Sequence, residues 1–373
     1  MVVAGREEKR VFHGLDGLRG VAALFVAMRH TSFFHGLGIH GGFLAVDLFF
    51  VLSGFVIAHA YERRLDRGMS VARFMALRYL RLWPVYVLGA VLGLIAAFAQ
   101  ALPGRDNMTT LQVIHTAPFA LVMLPGPHIK QMLYPVNSVA WSLGLELLVN
   151  LVYAFVWRPL RDPRVLAGVL AASALGLIVA VARFHKLDVG FTWTNAWGGL
   201  PRVAFSFTAG LAIYRAFRAR PWRSPLPAWV LVLALPPLFY VRVDEVLWPL
   251  ACVIVLFPAI VTLAVASEPK PPSATAFAWL GSVSYPLYAL HKPAGELVTL
   301  WVRQAAPQEV TNVWIGAVYL TVAVVICALV EQVYDLPVRR FLTALLDRAT
   351  GYAPALAKPR TLATGALAAD AQS

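Results

Sequence analysis

Charge is scarce in this sequence: Asp, Glu, Lys and Arg make up only 14% of its 373 residues. A soluble domain carries roughly 25%. The hydrophobic content of 59% and the mean hydropathy of +0.68 exclude one here. Cysteine is scarcer still. Cys252 and Cys327 both sit in apolar runs, where a thiol reads as a small buried hydrophobe rather than part of a disulfide or metal site. Metal-ligand spacings, a Walker loop, a dinucleotide glycine motif and a GxSxG elbow are all missing, so zincin, P-loop, Rossmann and α/β-hydrolase chemistry drop out. A small-residue cleavage site is absent too, and Asp16 and Arg19 interrupt the first apolar run, which argues against a cleavable leader. No internal repeat suggests the inverted halves of many secondary transporters.

What the chain has is apolar runs. The expected fold is an all-α polytopic integral membrane protein of about ten spans, with both termini cytoplasmic. The spans are expected near 12–32, 41–61, 78–100, 138–157, 165–183, 197–215, 227–241, 246–266, 275–300 and 312–332. The net charge of +13 invites a nucleic-acid reading. On this map, however, most Lys and Arg fall in segments on one side, among them Arg63, Arg64 and Arg67, Arg158, Arg161 and Arg164, and Arg215, Arg218, Arg220 and Arg223. The basic charge is therefore topology, and no nucleic-acid partner is expected. Residues 110–126 are too short for a span and read as re-entrant or interfacial. Residues 1–340 are expected to form one membrane domain and 341–373 a cytoplasmic, largely disordered tail.

Five motifs stand out against this background. In LDGLRGVAALFVAMRH, Arg19 and His30 are eleven residues apart, which places them on one helix face about 16 Å apart. Arginine keeps its charge and suits an anion, while histidine is the side chain best able to move a proton near neutral pH. Asp16 is positioned to pair with Arg19. In VDLFFVLSGF, Asp47 needs a counter-charge, and Arg19 or His30 could supply it. Ser53–Gly54 permits close helix approach. Arg78-x-x-Arg81 projects two guanidinium groups together at a helix start, which suits either a nucleotide phosphate or ordinary anchoring. Ser142 and Glu146, in WSLGLE, share a face, with Glu146 expected near the outer half of the membrane. Ser284, Tyr288 and His291 form a polar stripe around Pro286.

These motifs, in this order, resemble the acyltransferase family 3 membrane proteins, which O-acylate sugars and related acceptors. The match covers about 12 to 340. The resemblance implies acyl-CoA, most often acetyl-CoA, as cytoplasmic donor and a carbohydrate or glycolipid hydroxyl as acceptor. It implies no metal, and places the chain in the cytoplasmic (inner) membrane. Some relatives carry a fused SGNH hydrolase-like domain. This chain is expected to act without one or to pass its acyl group to a separate periplasmic partner.

The expected catalytic group is His30, Arg19, Glu146, His291 and Asp47. His30 would be general base or transient acyl carrier, with Glu146 and His291 orienting the acceptor or tuning His30. Arg78 and Arg81 would hold the CoA phosphates, and Arg19 the pantetheine or thioester region. Trp141, Ser142, Ser284 and Tyr288 would face substrate, Tyr288 also as a donor to the oxyanion. The ending Asp335-Leu-Pro337-Val-Arg339 resembles a family Glu-x-Pro-x-Arg pattern but is assigned no catalytic role. The alternative is a transporter or accessory component of a glycan export system, which would consume no acyl donor and would respond to ion gradients.

Overall fold

The computed structural model describes residues 11–101, 108–241 and 244–351. Fourteen α-helices and no strands are found among the described residues. They are α1 (His13–Arg29), α2 (Ala45–Asp66), α3 (Val71–Gln100), α4 (Thr110–Leu121), α5 (Ala140–Val156), α6 (Pro163–Phe184) and α7 (Gly199–Ala219). The series continues with α8 (Ala228–Leu233), α9 (Leu235–Tyr240), α10 (Leu247–Ala251), α11 (Phe257–Ala264), α12 (Ser273–Ala305), α13 (Val313–Val330) and α14 (Leu336–Ala349). Single π-helical turns join α10 to α11 (Cys252–Leu256) and α13 to α14 (Glu331–Asp335).

The membrane character is visible in which faces are buried. On α5 the inward face carries Ser142, Glu146 and Asn150, while Leu148, Val152 and Phe155 point outward. Phe155 is 68% exposed. In water an amphipathic helix would do the reverse. Here polar groups find partners inside the bundle, and apolar ones face a medium that does not penalise them. Helix α13 behaves alike, with Trp314, Val318 and Leu329 all outward.

Helical structure lies at each of the ten expected spans, and among the described residues five stretches are long and apolar enough to cross a bilayer: His40–Asp66, Val71–Gln100, Pro163–Phe184, Leu247–Ala264 and Val313–Ala349. The expected span 227–241 is two short helices, broken just before Pro236 and Pro237, whose rings cannot donate to the helix ladder. Helix α4 has 12 residues, about 18 Å of rise, and is opened by a capping box in which Thr109 and Gln112 bond each other's backbone N–H. Its length fits the re-entrant or interfacial reading.

The first residues of the expected tail, 341–373, lie within helix α14. Helix α14 runs on through Ala349 and is tied to α3 by an Arg73–Asp347 ion pair at 2.6 Å. The rest of the expected tail, from residue 352, lies outside the described residues. Cys252 and Cys327 are free and buried, as small hydrophobes are.

Two helix pairs form the centre. Helix α1 packs along α12, where a Cβ on Gly281 would strike the Asp16 side chain at 2.5 Å. Helix α2 crosses α7 at Gly54 and Gly210, where a side chain on either would run into the other helix's backbone. The glycine of Ser53–Gly54 thus does what close approach requires. Helix α12 contains Pro286 and Pro293. Pro293 has no N–H, so the Ala289 carbonyl lacks its helical donor, and Asn137 Nδ2 supplies one at 3.1 Å. Segment 137–142 is thereby fastened to the middle of α12.

Candidate active site

Arg19 and His30 open into different cavities. The first cavity, of about 210 Å³, is lined by Arg19, Arg78 and Arg81 with Ser53, Glu146 and Tyr285. Each arginine is held by a carboxylate. Arg19 pairs with Asp16 at 2.7 Å, as the spacing implied, and donates to the Gly281 carbonyl at 3.3 Å. Arg78 pairs with Glu146 at 3.2 Å, and Arg81 pairs with Asp335 at 3.4 Å while lying over the Tyr285 ring. A guanidinium has five N–H donors, so one carboxylate does not exhaust it. The Nε–H groups of Arg19 and Arg78 are buried without a protein partner. The cavity therefore offers fixed positive charge to a further anion.

The second cavity, of about 450 Å³, holds His30, with Lys292, Ser138 and Arg29 on its polar wall and Trp141 and Phe43 among its aromatic groups. His30 caps α1 and its ring is exposed to the cavity, whereas His291 is buried behind it. Nδ1 of His30 is 2.9 Å from the Val26 carbonyl, and Nδ1 of His291 is 2.9 Å from the Leu287 carbonyl. A carbonyl oxygen only accepts, so these bonds assign the proton to Nδ1 of each neutral ring. Nε2 of His291 lies 3.3 Å from His30 Nδ1, whose single N–H is shared between it and the nearer Val26 carbonyl. Nε2 of His30 is left with its lone pair, which is what a general base needs.

Between the cavities lies a closed partition. The Tyr288 hydroxyl meets Ser142 Oγ at 2.5 Å, and both oxygens bond the Val139 carbonyl, at 3.3 and 3.1 Å. Tyr288 and Ser142 line the arginine cavity, Val139 and Trp141 line the histidine cavity, and Val46 touches both. The Tyr288 ring is 6.0 Å from the His291 ring.

Several expected placements change. Asp47 pairs with neither Arg19 nor His30. It is fully buried and forked by Arg202, also fully buried, at 2.6 and 3.1 Å. Arg202 further donates to the Val189 carbonyl at 2.7 Å and stacks on Trp141. Glu146 lies with Arg78 and Ser53 in the arginine cavity and accepts from the buried Asn150, not beside His30. Ser284 bonds Gly281 O one turn back and opens into the arginine cavity. Tyr288 shares that cavity, so its hydroxyl does not point at His30.

Sequence reasoning missed Arg202, Lys292 and Ser138. It also left Asp335 without a role. That residue is fully buried, bridges Arg81 and Arg339, and shares Arg339 with Glu331, at 2.9 and 3.0 Å. For Arg202 a signal existed. It is an arginine in an apolar run with no carboxylate nearby in sequence, just as Asp47 is a carboxylate with no base.

A family model described as an acyltransferase domain matches residues 12–332. Protein 2 in the picA locus of Rhizobium radiobacter is 43% identical over 184 residues, 46% of this chain and 94% of that protein. The peptidoglycan O-acetyltransferase OatA of Listeria monocytogenes is 22% identical over 371 residues, 90% of this chain and 57% of OatA. A putative O-acetyltransferase of Staphylococcus aureus is 26% identical over 148 residues, 38% of this chain and 24% of that protein. The chain thus spans a little over half of OatA. No solved structure matches. The chain belongs to acyltransferase family 3 and is a membrane acyltransferase.

Proposed function

We propose that this member of acyltransferase family 3 moves an acetyl group from cytoplasmic acetyl-CoA to a hydroxyl of a carbohydrate or glycolipid. It would do so as a ten-span protein of the inner membrane with both termini cytoplasmic. The observation that carries the reading is the pair of cavities meeting at Tyr288 and Ser142. One presents three arginines, the other a histidine whose free nitrogen faces a larger space with aromatic walls.

In this reading Arg78 and Arg81 hold the CoA phosphates, and Arg19 the pantetheine end. Glu146 and Asp335 keep two of those guanidinium groups in place. The acyl-bearing arm passes the partition when Tyr288 and Ser142 separate. In the histidine cavity the acceptor hydroxyl gives its proton to His30 Nε2 and attacks the acyl carbon. The new C–O bond gives a tetrahedral intermediate whose collapse breaks the C–S bond, and the proton returns to the departing CoA sulfur. His291 accepts from His30 Nδ1 and steadies the imidazolium while it exists. Trp141 and Phe43 suit stacking on a sugar ring. A relay through a covalent acyl-protein and a separate acceptor protein draws on the same groups.

The test compares ester-linked acyl groups on surface and secreted glycans by NMR. A deletion strain is complemented with wild type or with His30→Ala. Loss of one acyl signal, restored only by wild type, supports the reading and names acceptor and acyl group. Full restoration by a His30→Ala protein that inserts and folds would remove His30 from the chemistry. Ester patterns unchanged by the deletion, with no consumption of acetyl-CoA by membranes, would favour transport.

A further inference from the structure

Transfer to a hydroxyl passes through a tetrahedral carbon whose oxygen carries negative charge. A base alone leaves that charge unsupported, so a hydrogen-bond donor must converge on the same space. Tyr288 cannot be that donor from where it stands, because its hydroxyl is spent on Val139 and Ser142 and lines the arginine cavity. The histidine cavity has one arginine and one lysine in its lining, Arg29 and Lys292. Arg29 is occupied: it pairs with Asp188 at 2.9 Å, donates to the His40 carbonyl at 3.3 Å and lies over the Phe43 ring.

Lys292 is different. It follows the buried His291 directly in sequence, and its Nζ donates to Ser138 Oγ at 2.5 Å. Its nearest carboxylate, Glu296, is 4.0 Å away, an ion pair without a hydrogen bond. An ammonium has three N–H donors, so two remain. Ser138 is fixed by the same segment whose Asn137 is bonded to α12, which leaves the ammonium little freedom to swing away. This is a preorganised donor in the cavity that the base faces.

Resting on the reading of His30 as base, we infer that Lys292 is a catalytic residue that holds the oxyanion of the tetrahedral intermediate. The acceptor O–H proton goes to His30 Nε2 as the C–O bond forms. The carbonyl π electrons move onto oxygen, against the Lys292 ammonium, which keeps all its protons. Collapse re-forms the carbonyl, breaks the C–S bond and returns the His30 proton to the CoA sulfur.

The experiment uses the full-length protein in membranes with radiolabelled acetyl-CoA and de-O-acetylated envelope glycan from the deletion strain, both titrated. Lys292→Met keeps the stem and removes the charge. The expected result is a kcat lower by about 10² to 10³, with KM for both substrates and the thermal midpoint unchanged. Lys292→Arg, which keeps the cation, should recover a large part of the lost kcat. Wild-type kcat in Lys292→Met overturns the inference, as does a raised glycan KM at unchanged kcat, which would make Lys292 an acceptor contact. If Met is not tolerated, Lys292→Gln is read by the same two outcomes. His30→Ala runs alongside. If it is active, the reading of His30 falls. If it is dead while Lys292→Met turns over normally, only the role of Lys292 falls.

Discussion

The two cavities are built from opposite kinds of group. In the arginine cavity the cations cannot lose their charge, and each is tied to a carboxylate supplied by its own or another segment. In the histidine cavity the key ring is exposed, and backbone carbonyls choose its tautomer. The first arrangement holds a charged ligand without exchanging protons with it. The second exchanges a proton and needs room for an acceptor. The difference teaches why the family's motifs are spread along the chain: one cavity cannot be both a rigid anion clamp and an adaptable base.

That contrast can be broken, and the largest break is at His30. Replacing it with Ala should lower transfer by about 10² to 10⁴ while the affinity for acetyl-CoA, measured by binding, stays as in wild type. A matching loss of donor affinity would mean that the cavities are not separate in function. Next comes the buried fork beside the partition. Arg202→Met leaves Asp47 without its counter-charge, which should destabilise the protein by about 3–5 kcal/mol. The thermal midpoint in detergent should fall, and the Asp47→Leu/Arg202→Leu double variant should regain most of it. A single variant melting like wild type would contradict the pairing.

Arg78→Ala sharpens the other side. Loss of a charge-assisted bond of about 1.5–3 kcal/mol should raise KM for acetyl-CoA tenfold or more with little change in kcat. A kcat effect without a KM effect would move Arg78 out of donor binding. The smallest effect is expected at the partition itself. Tyr288→Phe removes one hydroxyl, and a neutral hydrogen bond is worth about 1 kcal/mol. Acetyl-CoA hydrolysis without glycan should rise about fivefold. No rise would mean that the ring, not the hydroxyl, keeps the cavities apart.

Much of this was readable before any coordinates. Low charge and long apolar runs require helices, because a backbone in lipid must satisfy itself. The Asp16–Arg19 pair followed from spacing, since residues three apart share a helix face. The close approach at Gly54 followed from the missing side chain. Other features were not readable. Asp47 and Arg202 are 155 positions apart, and nothing local in either run names the other. The unassigned Asp335 meets Arg81 because a π-helical turn, which has no clear sequence signature, presents it. The residues after 341 read as tail because the sequence there turns rich in Ala, Pro and Thr, whereas α14 continues through Ala349 and is tied to Arg73 of α3.

The sequence by itself determined the family, the helical class and the membrane setting, because these depend on composition and on local periodicity. Which carboxylate answers which arginine was decided only by the tertiary structure. So were the division of the polar groups between two cavities and the placing of Lys292 beside the base. The physical reason is that a buried charge must find its partner within a few ångströms, and in a helical bundle that distance is set by packing between helices, not by position along the chain.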